Sequence, residues 1–71
     1  MNVYTLKGSY KKAGAIGVPS PFEIEWKAET PLIAMNEARE SLYNIGWDHI
    51  LFREVWIEDE EIPMMQALEL K

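Results

Sequence analysis

The chain lacks cysteine, has no long apolar run and contains few bases. Without cysteine, neither a disulfide nor a thiolate metal site can stabilise it. A membrane span needs roughly 20 apolar residues. The opening stretch, MNVYTLKGSYKK, also lacks the apolar core segment and the cleavage site of a signal peptide. We therefore expect a soluble, cytoplasmic protein that makes no contact with a membrane.

Basic residues are both scarce and unevenly placed. Seven Lys and Arg stand against twelve Asp and Glu, which gives a net charge of −5. Residues 1–22 hold three lysines and no acid, whereas the rest holds four bases against all twelve acids, a balance of 4 − 12 = −8. Because phosphate contacts dominate nucleic-acid affinity, this charge disfavours a general nucleic-acid binder. It favours a protein partner with a basic surface.

The length predicts one small domain spanning residues 1–71, near the lower limit for independent folding. Aromatic side chains are plentiful, with three Trp, three Tyr and two Phe. An aromatic core can hold such a domain together. A homodimer that buries more of this apolar surface is the alternative.

Alternating apolar residues predict strands over residues 2–10 and 22–28, with Gly8 marking a bulge or a close backbone contact. Thr30 and Pro31 are typical of a helix start. The helix should bury one apolar stripe and stop at a glycine; these positions are Met35, Ala38, Leu42, Ile45 and Gly46.

A third strand covers residues 49–58, and residues 62–71 fit a short helix, an edge strand or a tail. A hairpin followed by a right-handed crossover places the third strand beside the first. The predicted fold is therefore α+β: a three-stranded antiparallel sheet, ββαβ in order 2-1-3, with one helix packed on one face. The other face of the sheet is left open.

The third strand carries large apolar side chains on both of its faces. Strict alternation puts one set under the helix, namely Leu51, Val55 and Ile57 together with Arg53. The set left on the open face is Ile50, Phe52 and Trp56, flanked by Glu23, Glu25, Lys7 and Lys27. Exposed aromatics beside charge are typical of binding hot spots. Alternatively, residues 62–70 fold back over them, or the patch forms a homodimer.

Acidic residues follow the same strand: Glu54, Glu58, Asp59, Glu60 and Glu61. They either steer a basic partner or form a solvated strand end that keeps the edge from pairing. The run lacks the glycine turn of a calcium loop, so no metal is expected. His49 has Asp48 beside it but no organised nucleophile, so no catalytic residue is assigned and an enzyme is not expected. No cofactor is expected.

Four stretches resemble archaeal ribosomal protein LX: VYTLKGSYK, PFEIEWKAE, EARESLYNIGWDH and FREVWIE, within residues 2–58. The resemblance implies the same strand, strand, helix, strand order and binding to ribosomal RNA through basic residues. After the helix, the only base in DHILFREVWIEDEE is Arg53. In size and charge the chain also resembles small phage or mobile-element proteins that inhibit host machinery by binding it.

Two hypotheses follow. The first is a non-enzymatic protein-interaction module, an inhibitor or adaptor of phage or mobile-element type, that binds a basic host protein. Its binding residues would be Phe52, Trp56, Ile50, Glu54, Glu58, Asp59, Glu60 and Glu61. The alternative is an RNA-binding module like ribosomal protein LX. Its phosphate contacts would be Lys7, Lys11, Lys12, Lys27 and Arg53.

Overall fold

The structure is a computed structural model, and it describes residues 1–69. Four strands and two helices follow one another along the chain. They are β1 (Asn2–Lys12), β2 (Ser20–Ala28), α1 (Pro31–Asn44), β3 (Trp47–Ile57), β4 (Glu60–Ile62) and α2 (Met64–Glu69).

The strands form one antiparallel sheet in the order β2-β1-β3-β4. The α+β class and the antiparallel sheet are therefore confirmed. The prediction of three strands and one helix is wrong, because residues 60–69 add an edge strand and a second helix. Pro63 separates the two: it cannot continue the strand ladder, but its carbonyl accepts a hydrogen bond from Ala67 N at 2.9 Å.

Helix α1 begins at the predicted cap. Thr30 is extended, and its Oγ1 accepts a hydrogen bond from Ile33 N at 3.2 Å, while Pro31 occupies the first turn. The helix ends at Asn44, so Ile45 leaves the predicted stripe and is 67% exposed. Gly46 follows with φ of +99°, the left-handed conformation that stops a helix.

The core lies between the two helices and one face of the sheet, which we call the helix-covered face. Its buried apolar residues are Tyr4, Leu6, Phe22, Ala28, Ala34, Met35, Ala38, Leu42, Phe52, Val55 and Ala67. The small side chains of α1 let the helix approach the sheet closely. Because Ala67 of α2 is fully buried in this core, residues 64–69 lie on the helix-covered face and leave the opposite face, the open face, uncovered.

Strand β3 departs from regular pairing with β1 at two points. Lys7 pairs with Glu54 but Gly8 pairs with Phe52, so Arg53 is an extra residue. Ser9 then pairs with Leu51 and Lys11 with Asp48, which leaves a second extra residue opposite Tyr10. Gly8 meets the close contact predicted for it, since a Cβ there would lie 1.9 Å from the Leu51 carbonyl oxygen.

Candidate functional site

The first bulge decides which aromatic side chain is available on β3. One extra residue shifts the strand's alternation by one position. Phe52 therefore joins Val55 under the helix, where it is 7% exposed. Its ring centroid lies 5.7 Å from that of Phe22 and 5.2 Å from the guanidinium carbon of Arg39 on α1. The prediction that Phe52 forms part of the exposed patch is wrong.

The same shift carries over to Leu51 and Ile50, and the second bulge then turns Trp47 toward the core. Ile50 is half-buried against the core, so its predicted place on the open face is also wrong. Leu51, predicted to lie under the helix, pairs with Ser9 and is 53% exposed. His49 takes a positive φ of 50° at this irregularity. The two bulges bring Trp47, Ile50, Phe52, Val55 and Ile57 together against the core.

Trp56 is the predicted patch residue that remains on the open face. It pairs with Thr5 of β1 on one side and with Glu61 of β4 on the other. Directly opposite residues of an antiparallel pair point to the same face. Glu61 is thus an open-face neighbour of Trp56, a placement that depends on the pairing of β3 with the short strand β4.

The contacts of Trp56 combine a cation and a carboxylate. Its indole Nε1 donates a hydrogen bond to Glu54 Oε1 at 3.0 Å. Lys7 Nζ lies 5.1 Å from the centroid of the indole ring, within the range of a cation–π contact. The same Nζ is 3.6 Å from Glu23 Oε1. The side chains of Lys7 and Glu23 are 37% and 65% exposed, so solvent screens this ion pair.

A depression in the surface runs beside the ring and is lined by Thr5, Lys7, Glu23, Trp56 and Asp59. We call the charged and aromatic residues around it the Trp56 site; they are Lys7, Glu23, Glu54, Trp56, Asp59 and Glu61. The site holds four carboxylates against one ammonium, a formal charge of +1 − 4 = −3. The indole face of Trp56, which Lys7 covers, is thus surrounded by carboxylates.

The acidic run borders this site but does not all point into it. Glu58 and Asp59 form the two-residue turn between β3 and β4, with φ values of 48° and 65°. Glu61 shares the face of Trp56, whereas Glu60 pairs with Ile57, whose side chain packs against the core. All four are exposed. Glu58 and Glu60 therefore contribute to the field around the site rather than to its lining.

The basic residues of the RNA alternative are not gathered into one patch. Lys7 is occupied by Glu23 and Trp56. Lys11 and Lys12 line a separate depression beside the loop that carries the exposed Ile16 and Val18. The other two predicted phosphate contacts lie elsewhere: Arg53 shares a groove with Lys7, and Lys27 pairs with Val3 at the far end of β2.

His49 and Asp48 do come close, with His49 Nδ1 3.8 Å from Asp48 Oδ2. Asp48 also accepts a hydrogen bond from the His49 backbone N at 2.8 Å through Oδ1. Within residues 1–69 no further side chain hydrogen-bonds to either. Both contacts join neighbouring residues at the start of β3.

Two further findings concern the described part of the chain. No group of three or more His, Asp or Glu there is arranged to hold a metal ion. Neither helix in residues 1–69 combines the length and apolarity needed to cross a bilayer.

Comparison with known proteins gives no relative. No protein-family model matches the chain, and neither a curated protein nor a solved structure matches it. The resemblance to ribosomal protein LX and the phage-like character therefore stay predictions.

Proposed function

We propose that the protein is a non-enzymatic interaction module whose Trp56 site binds an arginine-bearing basic segment of a partner protein. The observation that carries the proposal is the lysine on the indole ring. Lys7 Nζ sits 5.1 Å from the ring centroid, so the face of Trp56 is oriented to receive a cation. A partner's cation would take the place of this internal one.

The surrounding carboxylates favour arginine over lysine in that place. A guanidinium stacks flat on an indole and can also form paired hydrogen bonds with a carboxylate. Glu54, Asp59 and Glu61 lie on the strand and hairpin around the ring. An ammonium carries the same charge but forms neither contact as well. Selectivity for arginine at equal charge thus separates this site from a merely acidic surface.

The remaining acids act at longer range. Glu58 and Glu60 are exposed on the β3–β4 hairpin and would attract a basic partner before contact. The Trp56 site, with its formal charge of −3, supports a role in which the module covers the basic surface of another protein. An inhibitor or adaptor encoded by a phage or mobile element would work in this way.

The test is a titration of the isotope-labelled protein with nona-arginine and nona-lysine peptides, followed by NMR. We expect the indole N–H resonance of Trp56 to shift with nona-arginine, while that of Trp26, which donates to Glu37 on α1, stays in place. The Trp56→Ser variant should keep the fold and bind nona-arginine about tenfold more weakly. A conservative Trp56→Phe variant should retain part of the affinity.

Two results would overturn the proposal. One is equal binding of the two peptides with no dependence on Trp56, which would reduce the interaction to unspecific charge attraction. The other is tight binding of a single-stranded oligoribonucleotide that weakens steeply with salt, which would favour the RNA-binding alternative.

A further inference from the structure

The sheet ends in two edges that differ in how they are protected. The β4 edge is three residues long and carries Glu60 and Glu61, and short charged edge strands resist pairing with other chains. The β2 edge runs for nine residues, and no strand within residues 1–69 pairs with its outer side. A row of backbone N–H and C=O groups therefore faces outward along β2.

Strand β2 lacks two of the usual devices that block an edge, a short length and a bulge. Its register with β1 runs without a bulge from Asn2 opposite Ala28 to Tyr10 opposite Ser20. Its single proline, Pro21, stands near its start, away from the stretch that ends at Ala28. A regular, extended edge of this kind is a ready template for another strand.

Strand β2 carries side chains of opposite charge that form no ion pair within residues 1–69. Glu23, Glu25 and Lys27 alternate along the open face. Glu23 is engaged by Lys7, but within residues 1–69 neither Glu25 nor Lys27 forms an ion pair. On the helix-covered side, Ile24 and Trp26 are only half-buried. A further strand beside β2 would therefore add ion pairs on the open face and bury more apolar surface on the helix-covered face.

We propose that β2 pairs antiparallel with β2 of a second copy of this chain, about a twofold axis at Trp26. In this register Glu25 lies opposite Lys27 of the second copy, and Lys27 lies opposite its Glu25. Cross-strand pairs of opposite charge stabilise a sheet. The two Trp26 rings meet at the axis on the helix-covered side, where aromatic pairs add to the stability.

Charge selects this register from its neighbours. A shift of the axis by one residue to Glu25 opposes Glu23 to Lys27 twice, but it also places the two Glu25 side chains opposite each other. An axis at Ile24 opposes Glu23 to Glu25 twice, and an axis at Lys27 opposes the two lysines. Within Ser20–Ala28, the axis at Trp26 is the one that opposes unlike charges without also opposing like charges. Glu29, which this register brings toward Glu23 of the second copy, lies beyond the strand in the bend before α1.

The dimer goes beyond the proposed function and does not depend on it. It joins two four-stranded sheets into one continuous sheet, with both open faces on the same side. Two Trp56 sites would then face a partner together. A basic protein with two arginine-bearing segments would bind both, and linked sites raise the overall affinity without any new contact.

The test is sedimentation equilibrium of the full chain and of charge-reversed variants at up to millimolar concentration. Lys27→Glu and Glu25→Lys each turn two attractive cross-strand pairs into repulsive ones, so each variant alone should dimerise about 30-fold more weakly. Mixed together, the two variants should form a heterodimer, because every facing pair is again attractive. The double variant E25K/K27E should restore the homodimer.

Two controls separate this proposal from others. Lys12→Glu makes the same charge change at an exposed position on β1 and should leave the dimer intact. Trp56→Ser should also leave it intact, whatever happens to peptide binding. The proposal is overturned by a wild-type chain that stays monomeric, by a mixture that fails to form the heterodimer, or by an E25K/K27E variant that does not dimerise, because an axis at Glu25 would oppose like charges in that variant.

Discussion

The two faces of the sheet are built from the same four strands but are organised differently. On the helix-covered face, bulges in β3 gather apolar side chains at irregular spacing into a closed core. On the open face, regular pairing arranges Lys7, Glu54 and Trp56 into a network of one cation–π contact and one hydrogen bond. Packing defines the first face, whereas charge and one aromatic ring define the second. Strand β3 therefore places its core-forming side chains on one side and its charged and aromatic side chains on the other.

The largest expected effect comes from truncating the two β3 aromatics that the bulge separates. Phe52→Ala opens a cavity in the core and should lower the free energy of unfolding by about 3–5 kcal/mol. Trp56→Ser removes a half-buried ring from the open face and should lower it by about 1–2 kcal/mol. Urea denaturation of both variants measures the difference.

A matched control is Phe52→Leu, which keeps most of the buried volume. It should lower the free energy of unfolding much less than Phe52→Ala does. Equal losses for Phe52→Ala and Trp56→Ser would contradict the assignment of the two rings to different faces.

The irregularity of β3 explains how far the sequence predicts this arrangement. Strands β1 to β3, the helix cap at Thr30 and the stop at Gly46 follow local rules and are found where predicted, within a few residues, whereas the short β4 was not predicted. The face of the sheet on which Phe52 lies does not follow from local rules. Strict alternation assumes that each residue of β3 has one partner on β1, and the bulge breaks that assumption. The signal that was present is Gly8: a glycine in mid-strand marks the place where the neighbouring backbone comes close.

The spacing within β3 carries a second signal. Its buried and half-buried apolar residues against the core stand at positions 47, 50, 52, 55 and 57, with two intervals of three where a regular strand has intervals of two. The polar residues His49 and Arg53 fall inside the two long intervals. The contact between Lys7 and Trp56 could not be predicted in this way, since it depends on pairing between strands distant in sequence.

The β3–β4 turn contributes to both the stability of the sheet edge and the charge around the Trp56 site. Glu58 and Asp59 both take positive φ values, whereas Asn-Gly is the sequence that favours such a turn. Replacing the pair by Asn and Gly should therefore raise the free energy of unfolding by about 1 kcal/mol. The same change removes Asp59 from the Trp56 site and Glu58 beside it, and should weaken nona-arginine binding a few-fold.

The control for this turn is the variant E58Q/D59N, which removes the same charges without introducing glycine. It should lose a similar amount of peptide affinity and gain less stability. Thermal unfolding and peptide titration of both variants provide the two readouts. Unchanged peptide binding in both would show that the hairpin acids serve solvation alone.

The variant with the smallest expected effect, Lys7→Met, is also the most selective test of the open face. Lys7→Met removes the cation that occupies the Trp56 ring and frees the Glu23 carboxylate. Binding of nona-arginine should become a few-fold tighter, because the incoming guanidinium no longer displaces an internal competitor. Lys12→Met removes the same charge far from the site and should change the affinity less.

If Lys7 instead contacts phosphate, the Lys7→Met variant should weaken oligoribonucleotide binding and lower its salt dependence. The direction of the change therefore decides between a basic protein and RNA as the partner of this face.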